Sequence, residues 1–151
     1  VTAYVLDTSV ISQLAPARSA EHRNFAEWVQ ENEDSLYIPT IVVTEIVSGI
    51  EKLRRSGGHA RATNFAFWLD QLLNLYGDRV LALDTATAAV AGQISDVAVA
   101  LGRHPGIADV LIAATARTIG AGVLTRNVRH FEPLGVAAVD PFATPFGTGH
   151  P

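Results

Sequence analysis

Short runs that are apolar on both faces alternate with longer segments of helical period along nearly the whole chain, and this alternation restricts the fold more than any other feature. Ala3 to Leu6 is apolar at consecutive positions, as in a central parallel strand covered by helices on either side. SAEHRNFAEWVQENE follows, with Ser19 as a cap and Phe25, Trp28 and Val29 at helical spacing. SLYIP reads as a second strand, and TIVVTEIVSGIEKLRRSGG as a helix from a Thr40 cap to Gly57 and Gly58. ATNFAFWLDQLLNLYG supplies another helix, able to form a hairpin with the one before. RVLAL is a third strand, and DTATAAVAGQISDVAVALG a helix capped by Asp84 or Thr85, with Ala88, Ala91, Ile94 and Ala98 on one stripe. GIADVLIAATARTIGAG is one more helix ended by glycine, and GVLTRN and VAAV complete the strands. Strand–helix alternation of this kind predicts one α/β domain over residues 1–141, a mostly parallel, doubly wound sheet flanked by helices. The Pro- and Gly-rich FATPFGTGHP at 142–151 is expected to be a flexible tail.

Composition sets the outer limits. With 151 residues, nearly half of them apolar, the chain can bury an ordinary single-domain core. It contains no cysteine, so neither disulfides nor a thiolate metal site support the fold. No apolar run reaches the roughly 18–20 residues of a membrane span, and the chain starts directly in strand-like sequence. A soluble, non-exported, cytoplasmic protein is expected. The formal charge of −4 argues against a passive nucleic-acid binder with a generally basic surface, but not against an enzyme whose acids gather at a metal.

Three acids stand in apolar settings. Asp7 ends the first strand, where the ligand crevice of an open parallel sheet lies; taken alone, capping a helix that starts at Thr8 or Ser9 explains it equally well. Glu45 is the only charge between Ile38 and Ile50, in a helix apolar almost all round, so its surroundings are expected to be largely buried; the competing reading is one exposed side of that helix. Asp109 interrupts GIADVLIAATA in the first turn of its helix, where the dipole alone favours an acid. Three carboxylates meeting in one crevice would repel each other without a cation. Oxygen ligands without cysteine or paired histidines point to Mg2+ or Mn2+ rather than zinc.

Four segments in order, VLDTSVIS, IPTIVVTEIVSGI, GIADVLIAATA and GVLTRNVRHFEPLGV, resemble the PIN-domain ribonucleases, particularly VapC-type toxins of bacterial toxin–antitoxin pairs. The resemblance implies a PIN-like sheet, an acidic metal site formed by Asp7, Glu45 and Asp109, and metal-dependent endonucleolytic cleavage of RNA phosphodiesters to 5′-phosphate and 3′-hydroxyl ends. At Asn127 the chain departs from the many members that carry a fourth aspartate there. Asparagine can ligate through its carbonyl but adds no charge, which makes a single-metal resting state plausible.

The segment around Asn127 also carries the candidate substrate-side residues. Thr125 leads into the loop holding Asn127 and either orients that shell by hydrogen bonding or is an ordinary strand-end threonine, while Arg126, Arg129 and His130 form a small basic group suited to phosphate or to a solvated turn. Lys52, Arg54, Arg55, His59 and Arg61 make the densest basic stretch, which either tracks RNA or simply ends a helix in solvent.

Two other acid-centred folds fit less well. Haloacid-dehalogenase-type phosphotransferases need a second acid two residues after the first, where this chain has Ser9. Receiver domains need paired acids and a lysine late in the sheet, yet the only lysine is Lys52. The remaining alternative is a catalytically silent PIN-like module that binds RNA or a protein, kept open by Asn127. By resemblance, the partners are an RNA substrate, a cognate antitoxin and a second copy in a homodimer. NFAEWV and NFAFWL are aromatic helical stretches that serve either such surfaces or the core.

Overall fold

The computed structural model describes residues 2–19 and 21–143. Its strands are β1 (Tyr4–Leu6), β2 (Leu36–Pro39), β3 (Val80–Leu81), β4 (Gly122–Leu124) and β5 (Ala138–Val139). Its helices are α1 (Thr8–Ile11), α2 (Pro16–Ser19), α3 (Arg23–Glu31), α4 (Thr40–Arg55), α5 (His59–Tyr76), α6 (Thr85–Ala100), α7 (Ile107–Thr118) and α8 (Val128–Phe131). The sheet runs in the order β3-β2-β1-β4-β5, and every pairing among the described residues is parallel. Successive strands therefore step one way from β1 to β3, and the other way through β4 and β5. The reversal falls between β1 and β4, which pair Tyr4 with Gly122, Val5 with Val123 and Leu6 with Leu124. It is at this point that an open α/β sheet leaves a crevice beyond its strand ends.

Both central strands are buried at every position, which explains their consecutive apolar residues. Val5, Leu6, Leu36, Ile38, Val123 and Leu124 share one core with Val110, Ile112, Ala113 and Ala114 of α7, which contacts β1 and β4, and with Val10, Ile11 and Phe25. The α4–α5 hairpin anticipated from the sequence forms, with a small core of Ile50, Ala62 and Leu69. Its turn depends on two glycines for different reasons. Gly57 has a φ of 100°, and at Gly58 a Cβ would come within 2.6 Å of the Leu53 side chain.

Several local expectations change. Ser19 ends α2 instead of capping α3, whose N-cap position is His22 without a side-chain cap bond. Thr40 is the first residue of α4, behind Pro39, so the hydroxyl does not cap it. α5 begins at His59 and takes in His59 and Arg61. Asp84 does cap α6, accepting from the Thr87 amide at 2.8 Å. The buried stripe of α6 is Thr87, Ala91, Ile94 and Ala98, while Ala88 is exposed. Phe142 packs against Phe25 at 4.9 Å and His22 at 4.6 Å between ring centroids. The rest of the expected tail, from 144 onward, lies outside the described residues.

Candidate metal centre and its hydrogen-bonded frame

The C-terminal ends of β1 and β4 carry Asp7 and Thr125, and the sheet pairing continues one step past the strands through the Asp7 amide to the Leu124 carbonyl at 3.0 Å. Asp7 is 5% exposed, a burial that a carboxylate tolerates only with its oxygens hydrogen-bonded. Oδ1 accepts from the Thr8 amide at 2.8 Å. Oδ2 accepts from two hydroxyls, Ser9 at 2.8 Å and Thr125 at 2.7 Å. Each hydroxyl is itself backed by an amide of the β4–α8 loop: Arg126 donates to Ser9 Oγ at 3.0 Å, and Asn127 to Thr125 Oγ1 at 2.9 Å. Asp7 thus caps α1, as one reading of the sequence had it, and is simultaneously fixed from β4.

The other acids lie around it. Asp109, in the first turn of α7, is partly buried, and His130 Nδ1 of α8 stands 3.2 Å from its Oδ2. Burial, and then the charge of Asp7, push the Asp109 carboxyl above the ordinary aspartate range, while His130 pulls it down. Asp109 therefore senses Asp7 electrostatically. Glu45 accepts from Thr8 Oγ1 at 2.7 Å and so reaches the residue next to Asp7. It is exposed, which departs from the expected burial and fits the competing reading of one outward side of α4, formed with Thr44, Val47, Ser48 and Gly49. Among the described residues no three or more acids or histidines lie close enough to form a ready-made metal cage.

Asn127 occupies the N-cap position of α8, exposed, with its carbonyl accepting from the His130 amide at 2.9 Å. Arg126 and Arg129 are exposed at this rim, and the Arg126 guanidinium lies 5.3 Å from the Phe142 ring centroid. Thr125, read from the sequence both as an orienting and as a substrate-side residue, is fully buried with its hydroxyl donating to Asp7, a place that fits the orienting reading. The basic stretch divides between the last turn of α4 and the first of α5, where Arg54 pairs with Glu51. Sequence reasoning passed over Ser9 as a functional residue. Its signal was the hydroxyl two residues beyond a strand-end acid, a spacing that lets it fold back onto the carboxylate.

The described residues form clefts on the surface. One of about 340 Å3 is lined by Thr8 and Glu45 and adjoins the acids. A larger one of about 450 Å3, with Trp68, Leu72 and Tyr76 on its walls, includes none of Asp7, Glu45 and Asp109.

This geometry agrees with what the chain is similar to. A family model described as PIN domain matches residues 4–134. Toxin FitB of Neisseria gonorrhoeae is 31% identical over 144 residues, 91% of this chain and 97% of that protein. VapC ribonuclease Y4jK of Sinorhizobium fredii is 31% identical over 140 residues, 91% of this chain and 96% of that one. The tRNA(fMet)-specific endonuclease VapC of Shigella flexneri is 29% identical over 133 residues, 87% of this chain and 92% of that one. Among solved structures, FitAcB from Neisseria gonorrhoeae matches with a TM-score of 0.81 at 29% identity, covering 93% of this chain and 99% of that chain. DNA-bound VapBC from Salmonella typhimurium matches with a TM-score of 0.69 at 26% identity, covering 91% and 97%. With acids gathered where the sheet reverses and a family model running from the first strand past the last helix, the chain belongs to the PIN domain family.

Proposed function

We propose that this chain is an Mg2+-dependent endoribonuclease, with Mn2+ able to substitute, acting as the toxin of a toxin–antitoxin pair. The observation that carries the reading is the Asp7–Asp109 pair at the switch point of the sheet: one carboxylate buried and fixed by three donors, the other raised first by its own burial and then by that charge. A carboxylate whose ionisation is disfavoured by burial and by a neighbouring acid marks a place where a cation is favoured. The donor set is oxygen throughout, which suits Mg2+ and Mn2+.

Asp7 would ligate through Oδ1. A carboxylate offers about four lone-pair directions; Oδ2 already accepts two hydrogen bonds and Oδ1 only one. Asp109 adds the second charge, and Glu45 joins from the exposed side of α4 by leaving Thr8. Asn127 contributes a neutral oxygen at most, which lowers the affinity for a second ion. When bound, the ion supplies Lewis-acid chemistry at the scissile phosphate. Arg126 and Arg129 serve as phosphate contacts at the rim. Thr125 and Ser9 hold Asp7 at one angle throughout, so the acid does not reorganise as charge develops. Relatives named as a toxin, a VapC ribonuclease and a tRNA(fMet)-specific endonuclease support RNA as substrate and the toxin role. Likeness to FitAcB and VapBC supports a cognate antitoxin, and a homodimer is proposed on family resemblance.

The test is cleavage of a structured RNA pool in Mg2+, Mn2+ or EDTA by the wild type and by Asp7→Asn checked for folding. Metal-dependent cutting is expected, lost in the variant. Intact RNA across several classes, with folded and antitoxin-free protein, would favour the silent binding module. Asn127 and the exposed Glu45 are the observations that module would explain.

A further inference from the structure

The 340 Å3 cleft shares Thr8 and Glu45 with the surroundings of the acids, so it begins where the proposed cutting centre ends. Its walls carry a buried polar atom without a hydrogen-bond partner among the described residues. Gln13 is 7% exposed, and its Oε1 accepts no hydrogen bond from any described residue. Turning that amide towards the cleft breaks no hydrogen bond at the oxygen, so a ligand that brings a donor can draw it out readily.

Gly49 supplies a second, independent sign. It sits inside α4, where glycine weakens a helix relative to alanine, and an added Cβ would meet nothing within 4 Å. No packing contact requires glycine there; what its missing side chain provides is open space in the cleft. Phe65 and Trp68, edge to face with centroids 6.4 Å apart, give the cleft aromatic walls.

We propose that this cleft is a base-binding subsite that takes one unstacked adenine beside the bond to be cut, with Gln13 reading the base edge and Trp68 and Phe65 against its ring. The inference rests on the endoribonuclease reading for its substrate class. Proteins that read single-stranded RNA set splayed bases against aromatic side chains and hydrogen-bond their edges. A glutamine amide pairs an acceptor with a donor, matched by adenine N6 and N7. The volume suits a ligand of nucleoside size, and exposed Arg18 at the rim suits the adjoining phosphate.

The experiment titrates the full chain in EDTA with dye-labelled single-stranded tetranucleotides of each base, read by fluorescence anisotropy. The adenine oligomer is expected to bind about tenfold more tightly than the uracil oligomer. Gly49→Leu, which fills the cleft from the exposed side of α4, should abolish that preference. Gln13→Glu, which only accepts, should move it to guanine, whose N1 and N2 both donate. If Gln13→Glu does not fold, Gly49→Leu decides. Equal or absent binding of all four oligomers overturns the proposal, as does a preference that Gly49→Leu leaves intact. Loss in Gly49→Leu of association with a protein partner, with RNA binding unchanged, also overturns it and makes the cleft a protein-docking groove. Because no metal is present and no cleavage is read, this result is separable from success or failure of the nuclease test.

Discussion

Asp7 shows how much one residue's environment determines its use. Thr125→Val should destabilise the fold by about 1–3 kcal/mol, because it strands an Asp7 lone pair in a buried place and takes the partner from the part-buried Asn127 amide. Thr125→Ser should restore most of that loss, and urea denaturation of the two variants checks the pair. Asp109 gives a pH prediction with a definite sign. Its folded carboxyl holds a proton to higher pH than the unfolded one, so the folded state loses stability as pH rises through that window and stays lower above it. In EDTA at neutral pH, Asp109→Asn should therefore be more stable than the wild type, and the gap should close as pH falls through the ordinary aspartate range. Chemical denaturation across pH measures it. Of these residues the sequence exposed the acids, each conspicuous among apolar neighbours. It did not expose the relay through Ser9 and Thr125, since that relay joins positions 118 residues apart and depends on β1 lying beside β4.

At the level of elements, turn and cap chemistry was readable and fine boundaries were not. Gly57 was identified as a helix stop, and its φ of 100° shows why: a side chain there is strained. Gly57→Ala should cost about 1–2 kcal/mol and lower Tm, whereas Gly49→Ala, in open helical space, should raise it. Thermal melts of both variants separate a conformational requirement from a spatial one. Asp84 was one of two cap candidates, and the Thr87 amide selects it. Ser19 and Thr40 were equally good candidates by residue type, but the chain breaks into α2 before α3 in one case and Pro39 takes the N-cap position in the other. Ala88 and Thr87 exchanged places because neighbouring positions on an alanine-rich helix differ by only about 100° in azimuth, so composition alone leaves the buried face undecided.

For the whole molecule, alternating strands and helices were enough to specify the doubly wound class, because a parallel sheet demands covered faces and crossover helices. Strand order was not legible in the same way, since it depends on which strands pair across long stretches of chain. No helix among the described residues is long and apolar enough to cross a membrane. A bound ion that joins Asp7 to Asp109 stabilises only the folded chain, so Mg2+ at about one hundred times its Kd should add about 2.7 kcal/mol. The gain should be absent in Asp7→Asn, and thermal melts with and without Mg2+ read the difference.

The sheet order also bears on synthesis. Thr125, which donates to Asp7 from the end of β4, is made 118 residues after it, and β1 has no β4 to pair with until then. A nascent chain that is cut short or stalled before that point carries the acids without the frame that fixes them. Until β4 is made, the Thr125 hydroxyl and the β1–β4 pairing that set Asp7 at its angle are both absent, so the acid is framed only after that strand has been added.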